Sequence, residues 1–450
     1  MIHPERIHIL THKPHSRGRY VLYWMQQAQR VSGNHALEYA IRRANDLDLP
    51  VVVIFALTDD YPEANERHYA FMLEGIREVG EALEHRGINF VLKKGAPTTV
   101  VPALAREAAL LVTDRGYLRI QKEWRTAIAE KVSCAVHQVE TDVVIPVDQV
   151  SQKEEYAART IRPKVHARLD DYLLPLESTP VKHRSLDLEF AGLYSRNVEL
   201  ILRGLRIDRS VRSVDSCLGG ETEARKHLAG FIDNRLHRYA EDRNDPSLKT
   251  VSNMSPYLHF GQISPLEIAL EVQDAGQQIG QEVYLEELIV RRELSINFVH
   301  RNPLYDQYEA LPEWARKTLG KHEDDPREYL YDLDTFEAAQ THDPYWNAAQ
   351  EEMVLTGKMH NYMRMYWGKK ILEWSDTPRT AFETTLFLNN KYELDGRDAN
   401  SFAGVAWCFG KHDRPWKERP VFGTVRYMNA NGLKRKFDIE SYVQQIKAHS

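Results

Sequence analysis

Five short apolar runs, at 20–24, 51–57, 89–95, 109–114 and 135–141, alternate with amphipathic stretches at about 34–48, 67–87, 97–108 and 118–132. β-rich runs separated by helices of this length predict a parallel, doubly wound sheet. Asn34 and Asn65 stand where helix caps are needed, and Gly87 where a helix should stop. This α/β domain is read as residues 1–150. Sheets of this kind bind ligands beyond the carboxyl ends of their strands. The segment after Trp24, MQQAQRVSGN, carries neither GxGxxG nor a P-loop, so an ordinary dinucleotide is not expected there.

From 151 to 205 the periodicity decays. SQKEEYAARTIRPKVHARLDDYL keeps helical character, and PLESTPVKHRSLDLEF reads as an interdomain linker lying on the surface. After about 217 the strand pattern disappears. Stretches 220–240, 264–278, 281–299, 347–374 and 376–388 show helical periodicity, joined by turns marked with Pro or Gly. Residues 206–450 are therefore expected to form an all-α domain.

The three cysteines, Cys134, Cys217 and Cys408, give neither a disulfide framework nor a CxxC metal pair, which suits a reducing cytosol. The polar N-terminus lacks the apolar run of a signal peptide. No segment reaches the ~20 apolar residues that cross a bilayer. A net charge of −6 argues mildly against whole-protein attraction to nucleic acid, but a local basic patch is what sets phosphate binding. His8 and His12 form an HxxxH with His15 nearby, yet no carboxylate or thiolate completes a metal site. A solvated, His-rich terminus is the expectation there. There is no HExxH, no GxSxG elbow and no Cys positioned by a His, so hydrolytic and nucleophilic chemistry gains no support.

The densest chemistry lies between Thr356 and Trp407. A helix over Met359 to Trp374 puts His360, Arg364, Trp367, Ile371 and Trp374 on one stripe. Spacing alone also fits a core helix whose indoles fill space. Beyond it, Asn389, Asn390, Glu393, Asp395, Asp398, Asn400 and Ser401 crowd a Gly-containing turn. Buried polar groups need partners, so a polar ligand between helix and turn would suit both. Two further clusters stand upstream. Tyr239 and RNDPSLKTVSNMSPYLHFGQIS offer hydroxyls and N–H groups before a helix, an anion site or a plain capping turn. EELIVRRELSINF sets Glu287 and Arg291 four apart, which also fits a solvated ion pair on a helix face. A basic tail from Lys411 to Lys436 interleaves Trp416 and Tyr427 with its cations, as in surfaces that grip phosphates and stack bases.

SNMSPYLHFGQIS, EELIVRREL, GKMHNYMRMYWGKKILEWS and YELDGRDANSFAGVAW, in this order, resemble the photolyase/cryptochrome family over nearly the whole chain. The likeness is to the class II cyclobutane pyrimidine dimer photolyases. That resemblance implies an FAD held by the helical domain and a light-driven repair of pyrimidine dimers in DNA. Tyr239, Ser252, Asn253, Met254 and Ser255 match the phosphate and ribose contacts, and Asn361 and Arg291 fall among the cofactor-side positions. Arg364 and Asp395 match a buried ion pair beside a reduced, anionic flavin, and Asn389 the residue at flavin N5. Trp367, Trp346 and Trp374 match an electron-transfer chain that photoreduces the flavin. Glu287 corresponds to the residue that hydrogen-bonds the pyrimidine carbonyls. Arg243, Met365, Trp407, Arg414 and Arg426 correspond to lesion and DNA contacts. Other photolyase classes often carry a stacking Trp shortly after that glutamate; Glu287-Leu288-Ile289-Val290-Arg291 has none.

The family further implies a monomer acting on damaged DNA in the cytoplasm, or in the nucleus if the source is eukaryotic. It also allows an antenna chromophore, a deazaflavin or a folate. Two relatives of different function compete. A signalling cryptochrome usually has an extended regulatory tail, whereas this chain ends soon after its basic segment. A (6-4) photolyase needs a histidine for which His259 is the only candidate nearby.

Overall fold

The computed structural model describes residues 2–13, 17–193, 196–214, 217–276 and 278–448. The first half runs β1 (Ile7–Thr11), β2 (Tyr20–Trp24), α1 (His35–Asp46), β3 (Val51–Leu57), α2 (Glu66–His85), β4 (Asn89–Lys94), α3 (Pro97–Ala105), β5 (Ala108–Asp114), α4 (Arg119–Lys131) and β6 (Ala135–Val139). The strands lie in the order β1-β6-β5-β2-β3-β4. Every pairing is parallel except that of β1 with β6. β2, β3 and β5 are buried at each position because helices cover both faces of the sheet, which is why they read as unbroken apolar runs. Asn34 caps α1 by accepting the Leu37 N–H, and Gly87 ends α2 at φ +77°. Asn65 precedes α2, but its amide instead donates to the Lys391 carbonyl at 2.7 Å.

β1 corrects the reading of the N-terminus as solvated chain. It is an antiparallel edge strand with one wet side, so Ile9 stays half exposed and the alternation is diluted by His8 and Thr11.

Beyond β6 every regular element is helical among the described residues. They are α5 (Val147–Val150), α6 (Ala158–His166), α7 (Leu169–Tyr172), α8 (Val198–Arg203), α9 (Glu221–Asn234), α10 (Tyr239–Asp242), α11 (Ser255–His259), α12 (Pro265–Asp274) and α13 (Gln278–Leu285). A π-helical segment, Glu286–Arg291, then leads into α14 (Arg292–Arg301). The remainder comprises α15 (Glu313–Lys321), α16 (Leu333–Glu337), α17 (Pro344–Thr356), α18 (Asn361–Trp374), α19 (Pro378–Tyr392), α20 (Ala399–Cys408), α21 (Ala430–Lys436) and α22 (Ile439–Lys447). No described helix is long and apolar enough to cross a membrane.

The segment read as a linker is partly built into the fold. Ile161 and Val165 of α6 are buried in one apolar cluster with Phe231, Tyr257 and Leu288. Farther on, the Ser185 hydroxyl donates to Val51 O at 2.6 Å and Phe190 meets the Tyr20 ring edge-on at 5.6 Å. Apolar residues spaced through a polar stretch gave it two anchoring surfaces that overall polarity concealed.

The two halves are joined by polar ties, several of them from loops, and by apolar packing of Phe71 on Tyr257 and Phe260. Arg67 of α2 donates to the Met353 and Tyr392 carbonyls at 3.2 and 2.7 Å. Buried Arg30 pairs with Asp142 at 2.7 Å and also donates to Gly261 O at 2.9 Å. The loop after β2 takes its shape from Asp114, whose carboxylate accepts the backbone N–H groups of Gln26, Gln27 and Ala28. Those bonds satisfy donors that a buried turn would otherwise leave bare.

Candidate functional site

The helix expected over 347–374 is two helices. Gly357, at φ +70°, breaks the chain between α17 and α18, and the turn brings Lys358 and Met359 inward. Arg364, one turn into α18, meets two carboxylates from the turn after α19: Glu393 at 3.0 Å and Asp395 at 3.5 Å. The expected Arg364–Asp395 pair is present, and Glu393 is a second, nearer partner. Sequence could not separate two acids standing two residues apart.

Lys358 joins this cluster and donates to the Asn253 side-chain oxygen at 3.0 Å. Burial lowers its ammonium pKa, while Asp395 and Glu393 push the other way. Burial also pushes the Glu393 carboxyl up to about 8, against the pull of Arg364. For Asp395, burial is more than offset by Arg364, Lys358 and the Ser255 hydroxyl, so its carboxyl lies below the usual range. Two basic side chains thus face two carboxyls, and burial, which disfavours the charged form of Glu393, leaves the basic side of the cluster suited to an added anion. Buried Arg364 Nε and Glu393 Oε2 have no hydrogen-bond partner among the described residues. The sequence marks Glu393 only as one member of the polar turn, without a partner, and does not single out Lys358 at all, whose only signal is its place in the GKM step.

The neighbouring walls carry most of the expected cofactor-side residues. Asn389 is buried on α19, and its amide donates to Ser401 Oγ of α20 and to Asn390 Oδ1. Three residues beyond Ser401, a side chain at Gly404 would meet no atom within 4 Å, so α20 faces open space there. Asn253 sits at φ +60°, Met254 is buried, and the Ser252 hydroxyl accepts from Tyr284 at 3.2 Å. The helix that follows, α11, has only five residues. Its dipole is that of little more than one turn, so hydroxyls and Lys358 carry the polarity rather than a long helix. Tyr239 packs edge-on against Tyr284 at 5.3 Å, and burial plus Glu287 push its phenol up to about 12. An open face on α20, a cluster that brings two basic side chains inward and unengaged buried polar atoms together fit a flat group carrying negative charge.

The EELIVR segment departs from the regular helix expected there. In π register the hydrogen bonds skip one residue further, as the Arg292 N–H to Glu287 O bond shows. Glu287 then pairs with Arg243 at 2.8 Å, not with Arg291 four residues on. Arg291 turns instead to Glu286 at 3.3 Å with its side chain about half exposed, outside the Arg364 cluster. Asn361 opens α18 and is likewise exposed. Extra residues in a helix often mark functional positions, because they re-aim a side chain.

Trp367, Trp346 and Trp374 form one column. The Trp367 and Trp346 rings stack at 6.3 Å with an 11° tilt, and Trp346 and Trp374 are 6.3 Å apart at 65°. Their indole N–H groups are fixed: Trp346 donates to Trp367 O and Trp367 to the Gln350 side chain, at 3.0 and 2.9 Å. Trp374 borders a surface recess lined also by His342 and Arg419. The column thus joins the interior to solvent.

Trp407 and Met365 are half-buried. The Arg426 guanidinium lies between two indoles, 5.1 Å from Trp407 and 4.3 Å from Trp416, and bonds Asp413 at 3.0 Å. Arg414 covers Trp416 at 5.1 Å. His259 lies apart from this surface, paired with Asp398 at 3.3 Å and lining a cavity between the two halves. That cavity stands at the carboxyl ends of β2 and β3, next to the β2–β5 pair at which strand order reverses, and is bordered by Trp24, Tyr61 and Trp124.

A model of the family described as DNA photolyase matches residues 21–182. Over 448 residues the chain is 52% identical to the deoxyribodipyrimidine photo-lyase of Methanothermobacter thermautotrophicus, covering 99% of each chain. It is 42% identical to the deoxyribodipyrimidine photo-lyase of Arabidopsis thaliana, covering 95% of this chain and 89% of that one. In fold it is similar to a crystal structure of a bacterial class III photolyase from Agrobacterium tumefaciens, with a TM-score of 0.76 at 18% identity. That match covers 96% of this chain and 87% of the other.

Proposed function

We propose, since this chain belongs to the DNA photolyase family and is a light-driven repair enzyme for pyrimidine dimers in DNA, that its helical domain holds FAD beside Arg364 and receives the lesion there. The observation that carries this reading is the buried Arg364–Lys358–Glu393–Asp395 cluster together with the open space at Gly404 of α20. Held there in its reduced form, the FAD would supply under light the electron for cyclobutane ring cleavage, which would return to it once the ring has split.

The chain's own residues bind, tune and enclose. Arg364 and Lys358 favour the reduced, anionic form of the cofactor over the neutral one. Asn389, its Nδ2 donating to Ser401 and Asn390, would present its side-chain oxygen as an acceptor to the flavin N5 edge. Tyr239 and Ser252 to Ser255 bind ribose and phosphates. Trp407 and Met365 wall the lesion pocket, and Arg414 and Arg426 fill the gap left in the duplex. Extruding a damaged, poorly stacked dinucleotide costs a few kcal/mol, less than for intact bases, which helps select the lesion. Glu287 hydrogen-bonds the pyrimidine carbonyls by donating its O–H as the neutral acid, with Arg243 bonded to its other oxygen and holding the group in place.

Glu287→Ala tests the lesion side directly. Removing one preorganised group at developing charge typically costs roughly 10²–10³ in rate. The variant should keep its flavin spectrum and lose repair by about that factor. Wild-type repair yield in this variant would remove Glu287 from the mechanism.

The cavity at β2 and β3 is the candidate antenna pocket. It measures about 110 Å³, and Tyr61 and Trp124 meet edge-on across it at 6.0 Å. A planar deazaflavin or folate would have to part those two rings. Reconstitution with either should add an absorption band lost in Ala64→Trp, which places an indole in the pocket; an unchanged band would place the chromophore elsewhere.

A further inference from the structure

A second cavity, of about 630 Å³, lies between β1, α4 and the end of α14, and no step of the repair reaction uses it. Its size is that of an ordinary small-ligand site. His8, Arg115, Lys122, Arg125 and His300 line it, with Glu130 as the one acid in the lining. We propose that this cavity is a binding site for a small phosphate-bearing anion.

Lys122 and Arg125 carry the argument. They stand three residues apart on one face of α4, and neither forms an ion pair with any carboxylate among the described residues. Arg125 is buried, and its guanidinium is held by a single neutral acceptor, the Gln26 side chain at 2.6 Å. The Lys122 ammonium donates to the His300 backbone carbonyl at 2.8 Å. Cations withdrawn from water without a counter-charge are costly, and a ligand anion offsets that cost. The surrounding acids do not serve, since Asp148 is shared by Arg115 and Arg301, and Glu140 also faces Arg115.

The two histidines add donors. Arg115 donates to Nε2 of His8 at 3.2 Å and to Nε2 of His300 at 3.1 Å. A guanidinium cannot accept, so Nε2 of His300 accepts and the proton of that neutral ring sits on Nδ1. Nδ1 of His300 is buried and has no partner among the described residues. Burial with Arg125, Arg115 and Arg301 brings the Lys122 ammonium down to about 8, and burial with Arg115 and Lys122 lowers the His300 ring to about 3. Like charges crowd here as they do around a phosphate. Arg's planar fork and the Lys point charge one turn away match a phosphate group's several oxygens.

The test is calorimetric titration of the FAD-loaded full chain with sodium pyrophosphate, ionic strength held constant with sodium chloride. Saturable binding at one site per chain is expected. Lys122→Gln should weaken it roughly tenfold, and Lys122→Gln with Arg125→Gln roughly a hundredfold, since each change removes a charge-assisted contact. Arg414→Ala should leave this binding intact, which separates the site from the DNA surface, and Lys122→Gln should repair DNA at the wild-type rate. Should the double variant fail to fold, the single variant decides. Wild-type affinity in the folded variants, loss of binding in Arg414→Ala, or no saturable binding would overturn the proposal.

Discussion

Arg364→Ala is expected to lose its flavin and about 3–5 kcal/mol of stability, the penalty for removing one partner of a buried ion pair. The guanidinium is the only group seen to meet both Glu393 and Asp395 among the described residues. Without it, two buried carboxyls face each other with Lys358 alone for compensation, and burial then raises both. An acid whose folded pKa lies above its unfolded value stays protonated in the fold while the unfolded chain releases the proton. Stability therefore falls as pH rises between those two values. Glu393 already reaches about 8, so the deficit of the variant should be smaller near pH 5 than near pH 8. Chemical denaturation at the two pH values, with flavin content read from absorbance, checks this. A deficit independent of pH, or full flavin retention, would contradict the electrostatic role given to the cluster.

Trp346→Phe should have the second large effect, and on a different observable. Trp346 stands between Trp367 and Trp374, 6.3 Å from each. Phenylalanine preserves the packing but is far harder to oxidise than indole, so the column loses its middle relay. Photoreduction of oxidised flavin should nearly vanish, whereas chemically reduced enzyme should repair dimers at the wild-type rate. The lost bond to the Trp367 carbonyl should cost only about 1 kcal/mol. Photoreduction at the wild-type rate would show that electrons reach the flavin by another route.

The sheet was legible because its central strands are buried on both faces, which leaves unbroken apolar runs such as VVVIFAL. β1 was not, since an edge strand with one wet side carries too weak an alternation. Within the helical half, periodicity found α9, α12, α14 and α19 but ran α17 and α18 together. Gly357 ends α17 at a positive φ that a hydrophobic pattern does not record. Nor can a pattern record hydrogen-bond register, so the π segment and the Glu287–Arg243 pair it creates emerged only in three dimensions. The tryptophan column was half visible. Trp367 and Trp374 share a helix face by spacing, while Trp346 reaches them through the packing of α17 on α18. The least legible feature was charge balance, because Lys358, Glu393 and the ties between the halves depend on contacts distant in sequence.

The most direct test of light-driven repair takes photoreduced protein and an oligothymidine carrying cyclobutane dimers. Absorbance in the thymine band is followed under blue light, with a dark control. Recovery that requires light is the predicted result. No recovery from fully reduced, flavin-loaded protein would contradict the account and point to a photoreceptor or to a different lesion.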